Sequence, residues 1–416
     1  MSAAPGAPAT ADAPVLVVLG AGADQLVTYR VARRLGCTVI GVDRRRDAPA
    51  AYLAHRFVPV SIRDPAAIVA ALGETHVDGV IAPGTDLSLP ALQVLGECYA
   101  AGCRLSQTAL LASTDKGFFR RVLEGLPYPR IRFAQSPDLA ELCRAAHRMR
   151  YPVVVKPADT CGNRGVEAVT SGRDLPAAIE RARAFSYGGE VIVEELIRGR
   201  HLGCECFMLD GEPLLVAASE RGNTGPPHFL TTSHLVPARL DAATRATLVE
   251  MVRTICQAVK HESGPINLDL VLDERGTIYP IEMGARLGGN GLPDLVQMAY
   301  GVDVVEAAVR LALGQPFALE PSGPRVAMSH VLSTDRAGIL ARVDGLDMVR
   351  AAPMTERLEL FVAPGGPVAA FTTNANKLGI LVLVGDSHEQ VQAAAAAARQ
   401  ALRVEVREHD PAGVAP

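Results

Sequence analysis

Tryptophan is absent from this 416-residue chain and aromatic residues make up only 4% of it. That scarcity excludes the stacked aromatic platforms on which single-stranded nucleic acid is held. Neither sign of charge dominates: 41 Lys and Arg stand against 45 Asp and Glu, a formal net charge of -4, so no electrostatic footprint for DNA or RNA is present. No apolar run reaches the ~18 uninterrupted residues of a membrane helix. The opening "MSAAPGAPATADAP" has neither the basic start nor the apolar stretch of a signal peptide. A cytoplasmic protein with no nucleic-acid or membrane partner is expected. Eight cysteines are scattered, and the closest pair, Cys204 and Cys206, lacks the spacer and second pair of a zinc knuckle. They read as reduced core thiols. A Walker GxxxxGK[ST] loop is missing too.

What is present is a large hydrophobic fraction, 49%, in a chain long enough for several domains. Residues 1–13 are Ala, Pro and small polar types that bury little and read as a disordered tail. From Pro14, "VLVVLGAG", a helical stretch, "CTVIGVD", "RFVPVSI" and "VDGVIAPG" alternate strand with helix. This predicts a Rossmann-like parallel sheet over 14–112. A second unit, 113–190, opens at "STDKGFFRRVLEG". A third, 191–320, opens at "EVIVEELIRGR", and a last α+β region fills 321–416. The fold class is α/β, multidomain.

Five stretches carry chemistry. "GAGADQ" follows a strand and opens a helix, with Asp43 ending the next strand, which imitates a dinucleotide fingerprint. Gln25 occupies the place of its third glycine, so a structural turn or part of a substrate pocket competes with a nicotinamide site. Lys156 ends the buried strand "VVVKP", where an ammonium demands an anion. The loop "ADTCGNRGV" after it exposes backbone N–H groups that can wrap phosphate, or is a plain strand-to-strand turn. In "VIVEEL", Glu194 and Glu195 point to opposite faces of a strand, one to a pocket and one to solvent, unless both merely end the strand. In "INLDLVLDERGTIYPIEMGAR", Asn267 and Asp269 share a strand face, and the "DERG" turn returns the chain so that Glu282 becomes a cross-strand neighbour of Asp269. Two adjacent carboxylates call for a cation, and magnesium suits hard oxygen ligands; an exposed acid pair on a hairpin is the bland alternative.

The ordered series Lys116, Lys156, "DTCGNRG", "VEEL", Asp269 and "IEMGAR" resembles the ATP-grasp superfamily, in particular its carboxylate-amine ligase branch, over about residues 14–315. The resemblance implies an ATP-grasp fold: a leading substrate-side domain, a lid-like middle domain and a core domain that trap ATP between two antiparallel sheets. It implies phosphate contacts from Lys116 and Lys156, and a loop through Thr160, Gly162, Asn163 and Gly165 closing over the phosphates. Glu194 would accept from the adenine amino group, with the backbone of Glu195 and Leu196 reading the ring and His201 near the ribose. Asp269 and Glu282 would bind magnesium, or manganese in its place, and Arg286 the acyl phosphate or substrate carboxylate. Gly284 stands where the family often has an Asn ligand, which shifts that role to Asn290, Asn267 or water.

The implied reaction joins a carboxylate to an amine, with an amino acid or small peptide as substrate. Phosphorylation by ATP gives an acyl phosphate, which the amine attacks to release phosphate, leaving ADP. In "SERGNTGPPHFLTTSHLVP", Arg221 is a candidate for a second carboxylate and His228 for orienting or deprotonating the amine, against the plain reading of an exposed Pro-Gly loop. A carboxylase, a carboxylate-thiol ligase, an NAD-linked oxidoreductase and a non-catalytic nucleotide-binding protein are the competing readings. A homodimer is the default assembly.

Overall fold

The computed structural model describes residues 13–99 and 105–408. The tail expected at 1–13 thus lies outside the described residues, except for Ala13. Strands β1 (Val15–Leu19), β2 (Thr38–Val42), β3 (Arg56–Val58) and β4 (Gly79–Ile81) form a parallel sheet in the order β3-β2-β1-β4. These near-continuous apolar runs are what a sheet covered on both faces requires. Helix Leu26–Arg34 turns Leu26, Tyr29, Val31 and Ala32 inward. Helix Pro65–Leu72 starts where the Asp64 side chain accepts from the Ala67 amide and Pro65 takes the first turn.

A second, antiparallel sheet contains β5 (Phe133–Ser136), β6 (Val153–Pro157), β7 (Glu167–Val169) and β8 (Val191–Glu195), in the order β5-β8-β6-β7. The sequence reading opened the core unit at residue 191; instead β8 lies between β5 and β6 in the smaller sheet. Its apolar run "VIV" suits either sheet, and its partners lie 34 or more residues away in sequence, beyond any local pattern. Helices Leu139–Ala146 and Leu175–Arg183 bury Leu142, Ala146, Ile179 and Ala182 against it.

The largest sheet is antiparallel throughout. It holds β9 (Arg200–Leu209), β10 (Glu212–Asn223), β11 (Thr231–Val236), β12 (Gly264–Leu272) and β13 (Ile278–Gly284). The C-terminal region adds β14 (Val326–Leu332), β15 (Gly338–Asp344), β16 (Thr355–Leu360), β17 (Pro367–Val368), β18 (Gly379–Gly385) and β19 (Arg403–Arg407). Three of these, β14, β18 and β16, extend the large sheet, whose order is β13-β12-β9-β10-β11-β14-β18-β16; the other three form a small sheet β17-β15-β19. The C-terminal region therefore continues the core sheet, where the sequence suggested a separate subdomain.

Period-two alternation decides which face of this sheet carries chemistry. Leu202, Cys204, Cys206 and Met208 of β9, with Ile266, Leu268 and Leu270 of β12, join the core cluster that includes Leu248, Met251, Val252 and Ile255 of helix Ala242–Val259. Their alternates, His201, Gly203 and Glu205 on β9 and Asn267 and Asp269 on β12, are left for the opposite face. The free Cys204 and Cys206 are core residues, as expected.

Candidate active site

Helix Lys116–Glu124 begins at Asp115, whose side chain accepts from the Phe118 amide. Lys116 and Arg120 are one turn apart and share a face. Arg120 is 3% exposed; its Nε donates to Glu194 Oε2 at 2.9 Å, and its two terminal nitrogens donate to the Pro280 and Ile281 carbonyls at 2.8 and 2.9 Å. Lys156 Nζ donates to the other oxygen, Glu194 Oε1, at 2.5 Å. The buried Lys156 thus has the anion its position demanded, inside the protein. Burial alone would raise the Glu194 pKa, but Arg120 and Lys156 outweigh it and push it down to about 2. Burial lowers the pKa of Lys156, against the pull of Glu194. Two cations on one carboxylate leave a surplus positive charge at the cleft wall. In this arrangement both oxygens of Glu194 are engaged, so the free adenine acceptor expected from the sequence is a carboxylate already satisfied by Lys156 and Arg120. Glu195 points the other way, toward the Arg150 amide at 2.9 Å, as alternation requires.

The opposite wall is the hairpin β12–β13. Its turn closes with the Thr277 amide donating to Asp273 Oδ1 at 2.8 Å and Gly276 at a φ of 80°. Asp269 pairs in register with Glu282, and the register shifts immediately after Asp269. Such an irregularity re-aims side chains next to functional sites. Pro280, which lacks a donor, is tolerated because β13 is an edge strand. Each acid carries one cation: Glu282 Oε1 lies 3.1 Å from Lys116 Nζ, and Asp269 pairs with Arg221. Lys116 also donates to the Thr160 carbonyl at 2.5 Å; burial opposes its charge, yet Glu282 holds its pKa above the usual range. Arg221, a candidate for a substrate carboxylate, spends one terminal nitrogen on Asp269, while its buried Nε has no hydrogen-bond partner.

Between these walls is an open cleft whose empty space, counted with the solvent at its mouth, is about 810 Å³. It brings together Lys116, Lys156, Thr160, Gly162, Asn163, Glu194, Glu195, Leu196, His201, Arg221, Asp269 and Glu282. The glycine loop joins β6 to β7, with φ of 72°, 58° and 70° at Gly162, Asn163 and Gly165. A Cβ on Gly165 would stand 2.9 Å from Phe185 and 3.0 Å from Pro157, so this glycine is needed for space as well as for conformation. His201 is driven to a pKa of about 4 by burial and then by Arg221, so its ring is neutral near pH 7 and can serve a hydroxyl.

Three candidates fall elsewhere. The side chain of His228 bonds the Val166 carbonyl at 3.1 Å, and Asn163 donates to the His228 and Phe229 carbonyls at 3.1 and 2.8 Å. His228 therefore stitches the 224–230 loop to the glycine loop, which corrects its reading as a base. Asn290 is corrected as a metal ligand: its amide oxygen accepts from Lys377 Nζ at 2.8 Å, and that buried ammonium also holds Asp24 at 2.7 Å. Arg286 forms a two-pronged pair with Asp86 at 2.9 and 2.8 Å and donates from its other terminal nitrogen to the Leu287 carbonyl at 3.2 Å, which leaves one N–H on each terminal nitrogen for an anion. Burial raises the Asp86 pKa despite that pairing.

A Cβ at Gly284 would stand 2.3 Å from Asp86 Oδ1. The missing Asn at 284 is thereby explained, because Asp86 of the first domain occupies the space a side chain there would need. The acid pair fits a magnesium ion in donor chemistry, with two hard carboxylates in register beside a phosphate-sized cleft. Among the described residues no group of three or more His, Cys, Asp or Glu has metal-binding geometry. Water and phosphate oxygens would supply the remaining ligands, as magnesium commonly accepts.

Sequence reasoning passed over Arg120, Asp86 and Glu205, and named His234 only as one residue of a segment that could carry recognition. The tandem "RR" of Arg120 and Arg121 reads as a surface helix, and Asp86 as a loop residue. Glu205 gave a usable signal, a carboxylate in the middle of a strand with apolar residues on both sides. His234 is buried against Ser219 Oγ at 2.9 Å, and burial, then Arg221 and Lys377, push its pKa to about 3. The first glycine turn is structural: Gln25 is buried over it, with its amide donating to the Pro83 carbonyl at 2.7 Å and its side chain 3.2 Å from where a Cβ on Gly20 would be.

Comparison with known proteins bears on the domains and the fold. Residues 149–294 match the ATP-grasp domain family, and residues 330–407 match L-amino acid ligase C-terminal domain 2. An uncharacterized protein of Sinorhizobium fredii is 31% identical over 283 residues, 66% of this chain; the chain spans 57% of that relative's length. A formate-dependent phosphoribosylglycinamide formyltransferase of Nitratidesulfovibrio vulgaris is 28% identical over 96% of this chain and 99% of its own. The crystal structure of an L-amino acid ligase from Bacillus licheniformis shares the fold with a TM-score of 0.82, at 23% identity over 96% of this chain and all of that one. Among the described residues no helix is long and apolar enough to cross a membrane. The chain therefore carries an ATP-grasp domain at 149–294 and a match to an L-amino acid ligase C-terminal domain behind it, within the fold that the solved ligase shares.

Proposed function

We propose that the chain is an ATP-dependent carboxylate-amine ligase that forms an amide through an acyl phosphate and releases ADP and phosphate. The observation that carries this reading is the facing of two unlike walls across one cleft: Lys116, Lys156 and Arg120 with a surplus positive charge, and the register pair Asp269 and Glu282. A carboxylate is a poor acyl donor because its leaving group would be oxide. Transfer of the terminal phosphoryl group of ATP to it needs positioning and charge neutralisation more than a protein nucleophile. Lys116 and Lys156 hold phosphate oxygens, and the 160–165 loop closes over them. Glu195 and Leu196 border the base, their own amides donating to the Arg132 and Pro152 carbonyls at 3.0 and 3.1 Å, and the neutral His201 meets a ribose hydroxyl. Asp269 and Glu282 would hold magnesium, which supplies neutralisation of phosphate charge when bound. Arg286, fixed by Asp86, offers its outer N–H groups to the substrate anion, and the amine attacks the activated carbonyl as phosphate leaves. The match to an L-amino acid ligase C-terminal domain supports an amino acid as carboxylate or amine. The full-length likeness to a formate-dependent formyltransferase makes formate the alternative carboxylate.

The experiment is mass spectrometry of products from ATP, magnesium, a panel of amino acids and formate. An amide formed together with ADP supports the reading. AMP in place of ADP, or nucleotide binding with no product from any pair, contradicts it.

A further inference from the structure

Three carboxylates grip the segment 284–290 that carries Arg286. Asp86 holds the Arg286 side chain, Asp24 Oδ1 accepts from the Asn290 amide at 2.8 Å, and both oxygens of Glu205 accept from the Gly288 amide at 3.1 and 2.9 Å. The third acid is unlike the others. Asp86 has a guanidinium and Asp24 has the Lys377 ammonium, whereas Glu205, 0% exposed, bonds only neutral amides: Gly288 N and, at 3.4 Å, the Asn267 side chain. A carboxylate buried on such terms costs more than its hydrogen bonds return. The fit at Gly288 is correspondingly tight, since a Cβ there would lie 2.4 Å from Glu205 Oε2 and 2.9 Å from Asn267 Nδ2. The chain at 288 thus lies directly on this carboxylate, two residues past Arg286.

We propose that Glu205 is a positioning residue for Arg286: it pins Gly288 from within the sheet, so that segment 284–290 keeps the guanidinium in its place against Asp86. The kinetic consequence rests on the ligase reading, in which Arg286 meets the substrate anion. The pinning itself is a property of the free chain and can be read without turnover.

The full chain, Glu205→Ala, Glu205→Gln and Gly288→Ala are compared by hydrogen exchange of the 284–291 peptide, ATP titration and ADP release with the amino-acid and formate panel. Glu205→Ala is expected to speed exchange of that peptide about 10-fold and lower kcat/KM for the carboxylate about 100-fold, with ATP affinity within about 3-fold. Glu205→Gln, which restores a neutral acceptor, recovers most of both. Gly288→Ala keeps Glu205 but lifts the chain from it, and gives the same faster exchange; it serves if Glu205→Ala does not fold. Unchanged exchange at 284–291 in the Ala variants overturns the proposal. So does a loss in which ATP affinity and exchange across the whole chain move in step with turnover, because that is a general structural role. If the parent chain releases no ADP with any pair, the ligase reading fails and the exchange result still decides the pinning.

Discussion

The two walls of the cleft both carry carboxylates, and they treat them differently. On the small sheet Glu194 is 4% exposed and both of its oxygens are taken, by Lys156 at 2.5 Å and Arg120 at 2.9 Å. On the hairpin of the large sheet, Asp269 and Glu282 have side chains 27% and 31% exposed, and each shares its charge with a single cation. A carboxylate saturated by two fixed cations is a scaffold that sets the position and net charge of its partners. A half-exposed one with a single partner can change partners without leaving a buried charge stranded. The first should therefore matter to folding and the second to turnover.

Glu282→Gln probes the hairpin wall and should have the largest effect. Turnover is expected to fall by about 1000-fold or more, with a smaller loss of stability than at Glu194, since Lys116 keeps the Thr160 carbonyl and Gln leaves it a neutral acceptor. ADP release together with urea denaturation measures both, and an active variant would remove the distinction between the walls. Glu194→Ala inverts the pattern, because Arg120 and Lys156 would be left buried and unpaired at a cost of about 3–5 kcal/mol. A urea midpoint unmoved by this change would put Glu194 in the same class as Glu282.

Lys156→Ala is gentler, because Glu194 keeps Arg120. Its expected result is ATP binding weakened by about 10- to 100-fold in titration calorimetry, with the fold intact. Undiminished affinity would make Lys156 part of the scaffold alone.

The smallest effect is a pH dependence. His201 and His234 are held neutral with folded pKa values of about 4 and 3, against an ordinary 6.5. Between these limits the unfolded chain binds more protons, so stability is full above pH 6.5 and is lost as pH falls toward 4. His234→Asn should flatten the acid side of a Tm-against-pH curve, and an unchanged slope would count against its burial as a neutral ring.

Much of this arrangement was legible in residue order. Alternation along "INLDLVL" and the return at "DERG" put Asp269 opposite Glu282, and the isolated ammonium of Lys156 in an apolar strand announced a partner. The partners themselves were not legible, because pairing across domains leaves no local trace. Asp86 reaches Arg286 over 200 residues, Lys377 reaches Asn290 over 87, and Arg120 reaches Glu194 over 74. The same reason moved β8 into the small sheet, since its apolar run of three residues fits either. Gly284 and Gly288 illustrate the limit: a glycine in sequence signals freedom, whereas here each marks a place already filled by a distant carboxylate.

The most direct measurement is the magnesium dependence of ATP affinity, compared between the parent chain and the Asp269→Asn, Glu282→Gln double variant. The expected result is affinity that rises with magnesium in the parent and is indifferent to it in the variant. A double variant that keeps the full magnesium response would place the metal elsewhere and contradict a cation shared by these two acids.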